Sequence, residues 1–174
     1  MNKIDNILIG SGELYITKFT GSEVPENETI ETETNNVGHC SSGFEVSYKP
    51  SIKEVVNQYG DIVKQFVESE EVTCKTGIMT WALDNLAMFS TGKVTSTSGK
   101  KTLTIGANKH LETLLVRFVH TKEDGKKLRF TMIGQAGNGF SMNFENKEIT
   151  VDAEIKAVKK VKDFLCSFEE EIGE

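Results

Sequence analysis

An all-β fold, mainly an antiparallel β-sandwich or barrel with one short flanking α-helix, follows from three features of the 174-residue chain. Apolar residues recur with a period of two, which places them on one face of a strand and wets the other. Breaks rich in Gly, Asp and Asn separate these segments and supply turn conformations. One stretch alone switches to helical spacing.

The alternation is direct in the residues. Phe44, Val46 and Tyr48 alternate with Glu45, Ser47 and Lys49; Leu128, Phe130 and Met132 with Arg129 and Thr131; Phe140, Met142 and Phe144 with Ser141, Asn143 and Glu145. The longest run sets Ile149, Val151, Ala153, Ile155 and Ala157 against Thr150, Asp152, Glu154 and Lys156. Gly60-Asp61, Asp124-Gly125, Gly137-Asn138-Gly139 and Asn146-Lys147 mark turns. Strands are expected at 12–19, 38–49, 52–58, 62–68, 71–79, 102–106, 112–121, 127–134, 140–145 and 148–158. Short connections between them imply sequential hairpins.

The helix falls in 80–92, where Leu83, Leu86 and Ala87 share a face, with Thr80 as N-cap and Gly92 as the left-handed residue that ends it. Residues 20–36 and 92–101 read as long exposed loops. Between Val158 and Ile172 the spacing fits a helix through Val158, Val161, Leu165, Phe168 and Ile172, or a strand through Phe164, Cys166 and Phe168. A single domain spans 1–174, with the exposed loop at 20–37 and a C-terminal extension at 159–174. Folding a chain of this size buries roughly 70% of its unfolded surface, enough for a core without staples.

Composition narrows function. Twenty basic against 26 acidic residues give a net charge of −6, which excludes a polybasic nucleic-acid binder. The acidity is local: five glutamates lie between Thr20 and Asn36 and four more between Glu169 and Glu174. Cys40, Cys74 and Cys166 are odd in number and lack CxxC spacing, as expected in a reducing compartment. The apolar run Ile7–Ile9 is too short for a signal-peptide core, and no window resembles a membrane span, so the chain is expected in the cytoplasm where it is made.

Catalytic patterns fail on physical grounds, and no catalytic, cofactor-binding or metal-binding residue is assigned. Gly10-Ser11-Gly12 is followed by a strand pattern, not by the helix that would receive a pyrophosphate. Gly92-Lys93 and Gly99-Lys100 lack the first glycine and the hydroxyl of a phosphate-binding loop. His39, His110 and His120 form no helical zinc pair, and His39-Cys40 would point to opposite faces of a strand. The glutamates of the acidic loop lack the ligand alternation of a calcium loop. Glu23, Glu26, Glu28, Glu31 and Glu33 instead suit solvent or protein contact. Lys122, Lys126, Lys127 and Arg129 at one turn, and Lys156, Lys159, Lys160 and Lys162 at a strand end, could receive the acidic loop or tail of a neighbouring copy.

The order of these segments resembles a known family. The opening ILIGSGELYITKF is followed by a long loop and then by GFEVSYKPSIKEVVNQYGDIVKQFVESEEVTCKTGIMTWALDNLAMFSTG. The S-Y-x-P strand end, the strands flanking Gly-Asp, the E-x-V-x-C-x-T strand and the W-x-L-D-N-L helix resemble the major tail tube protein of tailed bacteriophages and related tail-like particles, over residues 7–158.

The resemblance implies a virion protein without enzymatic activity or cofactor, six copies to a ring, and rings stacked into a hollow tail that conducts double-stranded DNA without binding it specifically. Partners would be further copies of the chain together with tape measure, baseplate or tail terminator proteins. Residues 20–36, with Glu23, Glu26, Glu28, Glu31 and Glu33, or the 49–68 hairpin, would reach the next ring. Asp152 and Glu154 are candidates to face the bore, where carboxylates would repel phosphate. A small-ligand-binding β-barrel and an enzyme on a β-scaffold are the competing readings.

Overall fold

A computed structural model of the chain describes residues 10–38, 40–106 and 108–172. The Ile7–Ile9 run, His39 of the His39-Cys40 pair, and Glu174 of the acidic tail lie outside these. Among the described residues, ten strands and two short helices follow in the order β1 (Glu13–Lys18), α1 (Asn27–Ile30), β2 (Cys40–Val56), β3 (Ile62–Ile78), α2 (Leu83–Met88), β4 (Lys93–Thr97), β5 (Lys100–Thr104), β6 (Leu114–Thr121), β7 (Lys127–Gln135), β8 (Phe140–Met142), β9 (Val151–Ala157) and β10 (Cys166–Glu170).

Eight strands form one antiparallel sheet with the order β1-β6-β7-β9-β3-β2, to which β10 adds beside β7 and β8 beside β9. The sheet folds back on itself. Phe44 of β2 stacks on Phe118 of β6 with centroids 4.9 Å apart, although three strands separate β2 from β6 along the sheet. Two facing layers result, β1-β6-β7-β10 against β8-β9-β3-β2, and the core between them holds Leu14, Val116, Met132, Val72, Ile78 and Ile155, closed at one end by Leu86 and Phe89 around α2.

The layers join where Gly134 and Gln135 of β7 pair with Ala157 and Lys156 of β9. A Cβ on Gly134 would lie 2.6 Å from the Lys156 carbonyl oxygen and 2.8 Å from Ile155, so the corner needs glycine for close approach. Gly134→Ala is therefore expected to cost about 1–3 kcal/mol through overpacking, read as a lowered thermal midpoint.

Several sequence expectations change. The segments 38–49 and 52–58 are one 17-residue strand, and so are 62–68 and 71–79. Pro50 does not interrupt β2 because that strand is an edge, where proline is tolerated. The Glu68–Glu71 charges do not interrupt β3, because this stretch is largely exposed: Ser69–Glu71 pair in regular register with Lys49–Ser51, and only Glu68 falls at a register irregularity. The 92–101 loop contains β4 and the start of β5, a two-stranded sheet turning at Gly99.

The helix is shorter than 80–92: Ala82 holds the N-cap position without a side-chain bond, in place of Thr80. Gly92 is not in the left-handed region; its missing Cβ makes room for Leu103 and Ile105. The expected strands at 140–145 and 148–158 shorten to Phe140–Met142 and Val151–Ala157. In the ambiguous C-terminal stretch the strand spacing of Cys166 and Phe168 holds, within β10, while Phe164 stays outside it.

The 20–36 segment is not an extended exposed arm. It carries α1 and packs on the outer face of the first layer, where Ile30 is 1% exposed among Tyr15, Phe19, Leu115, Val119 and Ile133. The strict alternation of β6 explains this face. Leu114 and Val116 serve the core between the layers, whereas Leu115 and Val119 serve a second cluster outside it.

Candidate functional site

Two features stand out, a projecting ribbon and a buried charge network. The ribbon is the distal half of β2 and β3. β9 pairs β3 along Thr73–Ile78, so the part of the hairpin beyond that point extends away from the sheet by about ten residues, or roughly 30 Å. Its tip is a tight turn in which Asn57 Oδ1 accepts the N–H groups of Tyr59 and Asp61, and Gly60 takes φ +88°. Polar turn chemistry and β-branched flanks account for the hairpin locally.

The two faces of the ribbon differ. From Phe44 onward β2 alternates without interruption, so Phe44, Val46, Tyr48, Ile52 and Val56 share the face that serves the core at the hairpin's base. Val67 lies opposite Ile52 and Ile62 opposite Val56. This core-facing stripe continues past the end of the core. Tyr48, Ile52, Val56, Ile62 and Val67 are each 44–58% exposed, and Tyr59 at the tip is 81% exposed. The opposite face also exposes apolar groups, Val55 at 41% and Phe66 at 47%, but each is set against a lysine. Lys53 pairs with Phe66 and Val55 with Lys64, whose ammonium sits 4.7 Å from the Phe66 ring centroid. No strand of the described residues pairs with the outer edge of β2.

An apolar groove of about 320 Å3 opens at the base of the ribbon, lined by Phe44, Val46, Phe118, Phe130 and Phe168. Phe168 of β10 is 73% exposed and tilts against Phe130 at 4.9 Å. Groove and stripe lie along the same face of β2, the stripe broken by the Glu54–Gln65 hydrogen-bonded pair between Ile52 and Val56.

The charge network lies on the outer face of the first layer. Arg117 on β6 and Arg129 on β7 have side chains only 3% and 7% exposed, and Glu31, just after α1, is 9% exposed. Glu31 Oε1 accepts from Arg129 Nε at 2.6 Å and Arg117 Nη1 at 3.0 Å, while its Oε2 accepts from Lys127 Nζ at 2.9 Å. Arg129 Nη1 also donates to Glu169 at 2.8 Å and Glu171 at 2.7 Å. Arg117 Nε is buried and has no hydrogen-bond partner among the described residues.

Burial raises the Glu31 carboxyl, but hydrogen bonds from Arg129 and Lys127 outweigh it and hold the group below the usual carboxylate range. Burial also opposes the charge on Arg129, yet Glu31 and Glu171 keep its guanidinium above the ordinary value; for Arg117 burial wins and the value falls.

The charged residues singled out in the sequence thus separate. Glu31 is engaged within its own chain, whereas Glu23, Glu26, Glu28 and Glu33 are exposed. The basic turn receives the acidic tail of its own chain: Lys122 bridges Glu170, and the Lys127 N–H donates to Glu171. Lys156 bridges Glu71 and Lys159 bridges Asp163.

Asp152 and Glu154 lie on the wet face of the second layer, Asp152 exposed and Glu154 half-buried. Glu154 accepts from Asn138 Nδ2 and faces Lys75, which in turn faces Glu45. That face alternates in sign rather than being uniformly acidic. The thiols are all pushed up by burial, Cys74 to about 12, and remain protonated at neutral pH. Among the described residues no group of three His, Cys, Asp or Glu side chains could hold a metal ion, and no helix is long and apolar enough to cross a membrane.

The sequence named the 49–68 hairpin but not its stripe, because the alignment of Val67 with Ile52 depends on a register irregularity between Ser51 and Ile52, and that of Ile62 with Val56 on a second between Val55 and Val56. No protein-family model matches the chain, and no curated protein matches its sequence.

Proposed function

We propose that the chain is a structural subunit that assembles with copies of itself, in the manner of a phage tail tube protein: six to a ring, rings stacked, with a bore for double-stranded DNA. The observation that carries this reading is the apolar stripe Tyr48, Ile52, Val56, Ile62 and Val67, which continues the core-facing side of a sheet beyond the layer that should cover it. A neighbouring copy would supply the missing layer. The free edge of β2 adds unpaired backbone groups, a liability in a monomer and a joint in an assembly.

The ribbon, rather than the packed 20–36 segment, is the contact arm in this reading, because Glu31 and Ile30 are already committed to the subunit's own fold. The wet face bearing Asp152 and Glu154 suits a bore in which DNA slides. Lys75 and Lys156 there are paired with Glu154 and Glu71, and a lysine already neutralised gains less by displacing counterions from phosphate. Further partners would be the tail proteins at either end of the tube and the tape measure within it, with the virion tail as final location.

Negative-stain electron microscopy of the purified chain, with sedimentation velocity across a concentration series, tests the proposal. Rings or tubes are the expected result. A species that stays monomeric at high concentration, also in the presence of preformed tail tips, would refute it.

A further inference from the structure

The Glu31 network joins two segments distant in sequence that do not otherwise depend on each other. One is the α1 segment, which supplies Asn27 and Glu31. The other is β10 with the residue after it, which supplies Glu169 and Glu171. Arg129 is their common node, and Asn27 spans them by accepting from Arg117 Nη1 at 2.7 Å and donating to Glu169 at 3.4 Å.

We infer that the α1 segment and β10 form one charge-operated latch, closed while the Glu31 carboxylate is ionised and released as a unit when it is neutralised, uncovering the edge of β7 and the aromatic groove beside it. β10 is held to the body through pairing of Cys166–Glu170 with Leu128–Met132 of β7 and through these ion pairs. It is a late-added edge strand whose Phe168 is mostly exposed. When it leaves, the β7 edge and the Phe130 wall of the groove open together.

The charged and titratable groups around Glu31 set the direction. Arg117, Lys127 and Arg129 face it from β6 and β7; Tyr15 lies close enough to Glu31 to interact electrostatically, and Glu33 in turn to Tyr15; Glu169 and Glu171 share its arginine. Three cations around one carboxylate keep the latch shut at neutral pH. Without that carboxylate the two arginines repel one another across a buried face, and the α1 segment loses its charged anchor while keeping the Ile30 contact and the backbone bonds at Asn35 and Val37. This inference concerns the isolated chain and stands whether or not it assembles.

Hydrogen exchange at neutral pH on the full chain tests it, comparing wild type, Glu31→Gln and the double variant Glu169→Gln/Glu171→Gln. Residues coupled through one network exchange faster together, so both 27–36 and 166–170 are expected to speed up at least about tenfold in either variant, while 72–78 of β3 stay protected. Glu170→Gln, which breaks only the exposed Lys122 bridge, is expected to leave 27–36 unchanged. Acceleration confined to the mutated segment in each variant would show two independent elements and overturn the latch. If Glu31→Gln fails to fold, exchange of 27–36 in the double variant decides the matter, since Glu31 and both arginines remain there.

Discussion

Glu31→Ala is expected to be the most damaging single substitution in the chain, costing about 3–5 kcal/mol, the usual price of removing one partner from a buried ion pair. The residue lies in a segment whose composition suggests solvated loop, yet among the described residues its carboxylate is the one acid bonded to the Arg117 guanidinium, which keeps Asn27 as its remaining partner. Arg117 Nε has no hydrogen-bond partner among the described residues even in the intact network, so loss of Glu31 leaves this guanidinium with the neutral Asn27 as its hydrogen-bond partner. Arg129, by contrast, retains Glu169 and Glu171, and substitution of either is expected to cost less.

The sign of the pH dependence follows. The folded Glu31 carboxyl sits below its ordinary value, so its contribution to stability is complete above about pH 4.3, the unfolded value, and is lost as pH falls through the depressed folded one. Thermal melts of wild type and Glu31→Gln should therefore differ most at neutral pH and converge in acid. A gap that stays constant down to strongly acid pH would show that the carboxylate's charge contributes nothing. Charge reversal across the whole acidic segment would thus strike the monomer first, and Glu23, Glu28 and Glu33 are the positions at which surface contact can be tested cleanly.

The second large effect is on assembly. Ile52→Lys/Val67→Lys places two ammonium groups on the exposed stripe, at sites 44% and 58% accessible in the monomer. Folding of the subunit should change little, because exposed positions tolerate substitution within roughly half a kcal/mol. An interface that buries this stripe would lose the transfer energy of two apolar side chains, about 3 kcal/mol, and would also bear the cost of desolvating two charges. At one decade per 1.4 kcal/mol, the concentration needed for assembly rises by more than about 100-fold. Unaltered circular dichroism with no rings in the micrograph is the expected pair of results. Normal rings from this variant would remove the stripe from the interface.

The β-rich fold was legible because period-two alternation is a local property. Phe130 and Met132, or Ile155 and Ala153, declare a buried face whichever strand lies beside them. The turns at Gly60, Gly125 and Gly139 were legible for the same reason, each taking a positive φ that glycine adopts without strain. The hairpin's continuity was not, because Pro50 and the Glu68–Glu71 run look like breaks, and only an edge position for β2 and solvent exposure on both sides of this stretch make them harmless. The acidic tail reads as a fraying terminus, but Glu169–Glu171 are held by Arg129 and by backbone pairing with β7.

By itself, then, the sequence determined the strands, their wet and dry faces and the helical interruption, since each depends on neighbours one to four residues away. Tertiary structure alone decided which charges are buried together and which apolar residues are left uncovered. Arg117 and Arg129 lie 86 and 98 positions along the chain from Glu31, and no local pattern encodes their meeting. The exposed stripe carries the same alternation as the core-facing strands; it differs from them because β9 ends its pairing with β3 at Thr73, and a strand's pattern records which face is apolar but not whether anything lies against it.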